Sequence, residues 1–265
     1  MTSLIDRPVV ITIAGLDPSG GAGIVADIKT IYALGGFPAA AITSITYQNT
    51  TGVFGAEHQS AATLRAQVEP VISDLDVKAA KTGMLPTAEI VAEVARLFSE
   101  EALPAPVVDP VMVSTSGHDL IGDEAFHVLK TRLLPVARVV TPNIPEAERL
   151  AGFSVHTEDD MRRAAQAIKS LGVRAVLVKG GHRPIEDQAL DLLLDETGEF
   201  VEFREAYLEV GEIHGSGCTL SAAIAACLGK GMTLEDSIRS AKIYITEQLR
   251  ALRSAPRIGH GARPV

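Results

Sequence analysis

Residues 210–220, VGEIHGSGCTL, set a glycine-bracketed turn directly before an apolar helical pattern, TLSAAIAACLG. In Gly215-Ser216-Gly217-Cys218 the glycines free the backbone to aim successive N–H groups at one point. The helix that follows adds unsatisfied donors and the positive end of its dipole. Such a combination suits a phosphate or another anion. A thiol at the same helix start is expected to ionise more easily than a free cysteine. The turn therefore reads as a place that holds a phosphoryl group and activates a nucleophile beside it.

Other residues extend that chemistry. Lys179, after AVLV, suits nucleotide phosphate as a point charge, and a solvated strand-end lysine fits the sequence equally well. Asp109 and Glu146 suit Mg2+, which prefers a few carboxylates together with water and substrate phosphates. Taken singly, each also fits an ordinary surface or capping carboxylate, and Glu146 falls in the first helical turn of NIPEAERL, where an acid suits the dipole. The loop GLDPSGGAG (15–23) can bring backbone N–H groups close to a flat ligand, or serve only as a tight strand–helix turn. It lacks the Lys-Ser/Thr ending of a Walker P-loop, and no dinucleotide G-x-G-x-x-G pattern occurs. Seven histidines are present without H-E-x-x-H or C-x-x-C spacing, which argues against zinc.

These residues need elements to place them. Short Val/Ile/Ala-rich runs at 9–15, 39–46, 77–83, 106–111, 137–143 and 174–181 alternate with helical patterns near 22–35, 60–74, 86–101, 122–134, 157–171, 216–229 and 233–252. Continuously apolar strands imply a sheet covered on both faces. The alternation predicts an α/β fold of three layers, α/β/α, with a mostly parallel central sheet. Residues 187–203 instead predict an antiparallel hairpin at one edge, turning at Glu196–Gly198. In an open parallel sheet, ligands bind beyond the carboxyl ends of the strands. Gly15 and Asp17, Gln48 and Asn49, Lys81 to Met84, Asp109, Asn143 and Glu146, and Lys179 all follow such ends. A shared site at one sheet edge is the expectation.

The chain has 265 residues and 46% apolar content without tryptophan, which predicts one domain with an aliphatic core. A net charge of −9 argues against broad binding to nucleic acid or an anionic membrane. The start, MTSLIDRPVV, lacks the basic flank and apolar stretch of a signal peptide. The two cysteines, Cys218 and Cys227, would lie about 13 Å apart on one helix, beyond disulfide reach. A reduced, cytoplasmic protein is expected, with Cys227 a small buried apolar residue. The Gly/Pro-rich basic tail, RSAPRIGHGARPV, is either disordered or folded over a site.

The blocks AGLDPSGGAGIVADIKT, YQNTTGV, AAKTGML, VVDPVMV, TPNIPEAERL, VLVKGGH and HGSGCTLSAAIAA, in that order, resemble the signature of the hydroxymethylpyrimidine/phosphomethylpyrimidine kinases of thiamine biosynthesis, in the ribokinase-like superfamily. They span roughly residues 8–250. The resemblance implies ATP and Mg2+ as cofactors, an aminopyrimidine substrate and a homodimer. It gives Gln48 the aminopyrimidine edge, and places Gly15 and Ala22 in the loop that approaches the ring. Thr46, Met84 and Val111 match positions lining the pyrimidine pocket. Asp109, Asn143 and Glu146 match the neighbourhood of metal and phosphate, and Lys179 the lysine facing the nucleotide. The Gly215–Cys218 backbone, with Ser216 and Gly217, matches the anion hole, and Cys218 takes the place of the catalytic base.

This chain departs from that pattern in places. Glu212-Ile213-His214 precedes the glycine turn where relatives read NTH. The flap Ser114 to Ile121 reads STSGHDLI, with Thr115 in place of a lysine. Tyr47 stands where a small residue is usual, which implies a narrower pocket or one shaped for another ring. Pyridoxal kinase activity is the nearest rival reading, and Ser114, where some pyridoxal-phosphorylating relatives carry cysteine, weighs mildly against it. A sugar or nucleoside kinase would carry aspartate at 218. A non-catalytic pyrimidine-binding regulator would have little reason to keep Lys179, Glu146 and Cys218 together.

Overall fold

A computed structural model describes residues 7–101, 103–114, 117–181 and 188–265. Thr115 of the flap, His182 of VLVKGGH and Asp187, the first residue of the expected hairpin, lie outside them. Among the described residues a nine-stranded sheet runs in the order β3-β2-β1-β4-β5-β6-β7-β8-β9. Its strands are β1 (Val9–Leu16), β2 (Phe37–Asn49), β3 (Gly52–His58), β4 (Val77–Thr82), β5 (Val107–Val108), β6 (Val139–Val140), β7 (Ala175–Lys179), β8 (Gln188–Leu194) and β9 (Phe200–Ala206). From β2 to β7 neighbouring strands are parallel. The expected parallel core is there, with strands 5 and 6 shorter than their apolar runs.

Both faces are covered. One carries α2 (Ala61–Asp74), α3 (Ala88–Glu100), α4 (Asp123–Val128), α5 (Ile144–Ala151) and α6 (Glu158–Lys169), packed through Leu64, Ile90, Leu97, Ala147 and Ile168 against Ile11, Ile13 and Val178. The other carries α1 (Gly23–Ala33), α7 (Ser216–Gly229) and α8 (Leu234–Ser254), whose Ile31, Ile224 and Ile238 pack against Val10, Val107 and Leu177. Helix α7 is buried along almost its whole length, which explains its run of alanines: a larger side chain would hold the helix away from the sheet. Cys227 is buried in it, and both cysteines are free thiols. No described helix is long and apolar enough to cross a membrane.

The hairpin of β8 and β9 forms as expected, with Asp195 Oδ1 accepting the N–H groups of Thr197 and Glu199 at 2.9 Å each across its turn. One edge is not the whole account, however. The opposite edge is also antiparallel, because β2 continues to Asn49 and turns back as β3. The sequence of β3, GVFGAEH, hides this: two glycines and a mostly exposed pattern give no apolar alternation.

The tail folds over the site. A short strand β10 (Ile213–His214) pairs in parallel with β11 (Arg263–Pro264), and the N–H of Ala262 donates to the Thr50 carbonyl at 2.9 Å. Residues 261–265 thus lie across the β2–β3 turn and the strand that enters the glycine turn.

Candidate active site

The strand exits bring the expected residues together. Asp109 follows β5, Asn143 and Glu146 open α5 after β6, Lys179 ends β7, and Gly215 caps α7. Lys179 Nζ donates to Asp109 Oδ1 at 3.2 Å; the Asp109 side chain is buried and that of Lys179 partly so. Gly217 lies directly over this pair: a Cβ there would stand 3.3 Å from Lys179 Nζ and 3.4 Å from Asp109 Oδ2. A side chain there would press on the ammonium by a few tenths of an ångström. Gly215 has φ +87°, and a Cβ on it would meet the Gly21 carbonyl oxygen at 1.8 Å, so the turn is seated against the first loop.

Glu146 and Asn143 form a reciprocal cap on α5, with Glu146 N–H donating to Asn143 Oδ1 at 2.9 Å and Asn143 N–H to Glu146 Oε2 at 2.8 Å. The capping alternative for Glu146 is therefore real, and the amide oxygen of Asn143 is committed to the helix instead of facing a phosphate. Burial nonetheless raises the Glu146 carboxyl to about 7, with Asp109 adding to the rise and Lys179 opposing it. Burial alone would lower the Lys179 ammonium, but Asp109 and Glu146 raise it above the ordinary lysine value, so it stays charged. Two oxygen-donor carboxylates beside a retained cation fit a hard divalent ion that shares phosphate oxygens with the protein.

Cys218 sits in the first turn of α7, where Ser216 also lies, and its sulfur accepts the Gly23 N–H. Here the expected easy ionisation fails. Burial pushes the thiol up to about 12; Lys81 pulls it down, Asp109 and Asp27 push it further up, and the Gly23 N–H pulls it down. A helix N-terminus favours a thiolate only where the surroundings can solvate charge, and here burial is the largest influence. In the resting site Cys218 holds its proton.

The ring side is built of small contacts. A Cβ on Gly15 would stand 3.0 Å from Met84 Sδ, and the Met84 carbonyl accepts Thr43 Oγ1 at 2.7 Å. Thr46 is buried and donates its hydroxyl to the Leu16 carbonyl at 2.9 Å. Its polar atom is satisfied by the strand. Val111 follows the Asp109 loop, its N–H donating to the Asp109 carbonyl at 2.8 Å, and Ala22 caps α1. Tyr47 does not narrow this side: it packs over Gly55 of β3, within 3.5 Å of Glu57 Oε2, and is 52% exposed. Along a strand, Thr46 and Tyr47 face opposite ways.

Two groups carry more weight than their place among the strand-exit residues implied. Asp17 is buried and gathers the first loop, with Ser19, Gly21, Ala22 and His214 donating to it. Beneath Cys218, Lys81 is fully buried and donates to both oxygens of Asp27, at 3.0 and 2.8 Å, and Thr12 Oγ1 donates to the same carboxylate at 2.6 Å. A charged residue in each of two otherwise apolar segments was the available signal.

An α/β/α sheet with lysine, paired carboxylates and a glycine-rich helix start at its carboxyl edge defines a phosphoryl-transferring kinase of the ribokinase-like type. The phosphomethylpyrimidine kinase family profile matches residues 17–265, so the chain belongs to that family. It is 44% identical over 264 residues to a hydroxymethylpyrimidine/phosphomethylpyrimidine kinase of Streptomyces coelicolor, covering 100% of this chain and 96% of that relative. Among solved structures, phosphomethylpyrimidine kinase from Clostridium difficile 630 superposes with TM-score 0.81 at 40% identity, over 92% of this chain and 100% of the other. The pyridoxal kinase from Staphylococcus aureus in complex with AMP-PCP gives TM-score 0.87 at 31% identity, over 98% and 93%.

Proposed function

We propose that this chain, as one kinase domain, transfers the γ-phosphoryl group of ATP to the hydroxymethyl oxygen of 4-amino-5-hydroxymethyl-2-methylpyrimidine, and then a second phosphoryl group to the monophosphate, supplying thiamine diphosphate biosynthesis. The observation that carries this is Gly217 closed down on the Lys179–Asp109 pair at the start of α7. Backbone N–H groups of residues 215–218 and the Lys179 ammonium converge where charge spreads over a transferring phosphoryl group. Asp109 and Glu146 would hold Mg2+, which neutralises phosphate charge when bound. Gln48 reads the ring edge, with Gly15, Ala22, Thr46, Met84 and Val111 around the ring.

Cys218 takes the proton of the attacking alcohol. It begins as a neutral thiol, so it passes its own proton to solvent before it takes that of the alcohol. Burial, Asp109 and Asp27 oppose that loss, and Lys81 and the Gly23 N–H favour it. In the second phosphorylation the acceptor is already an anion and needs no base.

The S. aureus pyridoxal kinase likeness makes pyridoxal the rival acceptor, at lower identity than the S. coelicolor relative. ATP consumption with the aminopyrimidine alcohol, with pyridoxal and without acceptor separates the readings, and formation of mono- and diphosphate is followed in the same assay. ATP use with pyridoxal alone, or with neither, overturns the proposal. The reading extends to a cytoplasmic homodimer, which sedimentation of the full chain checks.

A further inference from the structure

The first loop and the glycine turn meet at one carboxylate. Asp17 Oδ1 accepts the Ser19 N–H at 2.8 Å and the Ser19 hydroxyl at 2.7 Å. Its Oδ2 accepts the N–H groups of Gly21 at 3.2 Å and Ala22 at 2.9 Å, and lies 2.8 Å from Nε2 of His214. Asp17 is 2% exposed, and burial alone would raise its carboxyl; the bonds from His214 and Ser19 reverse that and hold it well below the usual range. An ionised carboxylate accepts hydrogen bonds and donates none, so Nε2 of His214 carries the proton.

His214 is the last residue of β10, and Gly215 follows it directly. The loop is pressed onto both. A Cβ on Gly21 would stand 2.6 Å from His214 Cδ2 and 2.9 Å from Pro264 Cβ, and one on Gly215 would stand 1.8 Å from the Gly21 carbonyl oxygen. Gly215 holds its left-handed conformation at the very start of α7, so the aim of the N–H groups of residues 216–218 depends on how it is held. We propose that Asp17 and His214 are positioning residues for phosphoryl transfer: their hydrogen bond docks the first loop on β10 and fixes Gly215, and with it the amides of residues 216–218. The inference rests on the anion-holding role given to that turn above. It gives the loop that approaches the ring a second duty, on the phosphate side.

The test uses the full chain and compares the wild type with His214→Phe, His214→Gln, Asp17→Asn and the double variant of His214→Phe with Asp17→Asn, each assayed well below its denaturation midpoint. His214→Phe keeps a ring over Gly21 and loses the donor, and should lower kcat about tenfold, the worth of one hydrogen bond to a charged group. The loss should be equal in the alcohol and monophosphate steps, since both use the same amides, with KM for the alcohol unchanged. His214→Gln, whose amide N–H can reach Asp17, should recover most of it. Asp17→Asn should lose at least as much as His214→Phe, and the double variant no more than Asp17→Asn alone. A purely structural role would lower the midpoint and leave kcat of the folded enzyme unchanged. That result, a loss confined to KM for the alcohol, or additive losses overturns the inference.

Should the variants fail to fold, backbone amide hydrogen exchange of the wild type decides. Gly21 and Ala22 donate to Asp17, and the Thr219 N–H donates to the Gly215 carbonyl at 2.9 Å. One shared opening of all three amides supports the inference, and loop amides that open while Thr219 stays protected overturn it. A wild type that ignores the aminopyrimidine alcohol sinks the functional reading, whereas exchange reports on the loop and the turn without any acceptor.

Discussion

Lys81–Asp27 and Lys179–Asp109 are both Lys–Asp pairs made by a lysine near the carboxyl end of a parallel strand, and they are built to opposite ends. In the first, both side chains are 0% exposed, and Thr12 adds a third hydrogen bond to the same carboxylate. In the second, Lys179 is 12% exposed, contacts Asp109 at 3.2 Å, and faces Glu146 and the glycine turn as well. A sealed pair, with its partners complete, fixes strand β4 against α1. An open pair with carboxylates to spare is poised to exchange one partner for a ligand. The charge types are the same; completeness separates scaffold from machinery.

Substitutions should split along that line. Lys81→Met leaves Asp27 buried and unpaired, and should destabilise the fold by about 3–5 kcal/mol in chemical denaturation. Lys179→Met, from the more open pair, should cost less stability than Lys81→Met, yet lower kcat by about 10²–10³, the loss expected when one donor to the transferring group is removed. Similar stability losses from both would erase the contrast. Cys218→Ala should slow phosphorylation of the alcohol by about 10², at the lower end for general-base loss, and leave the monophosphate step within about threefold. Equal losses in the two steps would refute the base role. Thr12→Val should weaken the sealed pair by about 1 kcal/mol without changing KM for either substrate.

Glu146 gives a pH signature. Its carboxyl, raised to about 7 from the ordinary value of 4.5, prefers to stay protonated in the fold. The unfolded chain releases that proton more easily, so this group weakens the fold as pH climbs from about 4.5 toward 7. Glu146→Gln should flatten that part of the stability–pH curve. A curve of unchanged slope between pH 4.5 and 7 would contradict the assignment.

The phosphate side was legible because its residues follow from local pattern. An apolar run that ends in Lys179 or Asp109 announces a strand exit, and GSGC before an alanine-rich run announces a helix start. The ionisation of Cys218 was not legible, because it depends on Gly23, Asp27 and Lys81, which belong to other elements. The same is true of the Asp17–His214 contact, whose partners are 197 residues apart. Tyr47 misled for a simpler reason: beside Gln48 in sequence, it faces the other side of the strand. The second antiparallel edge escaped notice because β3 is exposed and broken by glycine.

The strap formed by residues 261–265 joins two distant parts of the sheet edge. Ala262 holds Thr50 at the β2–β3 turn, while Arg263–Pro264 line up on Ile213–His214 just before Gly215. A displacement of the β2–β3 turn is therefore felt at the strand that leads into the glycine turn, and the ring side and the phosphate side share one brace.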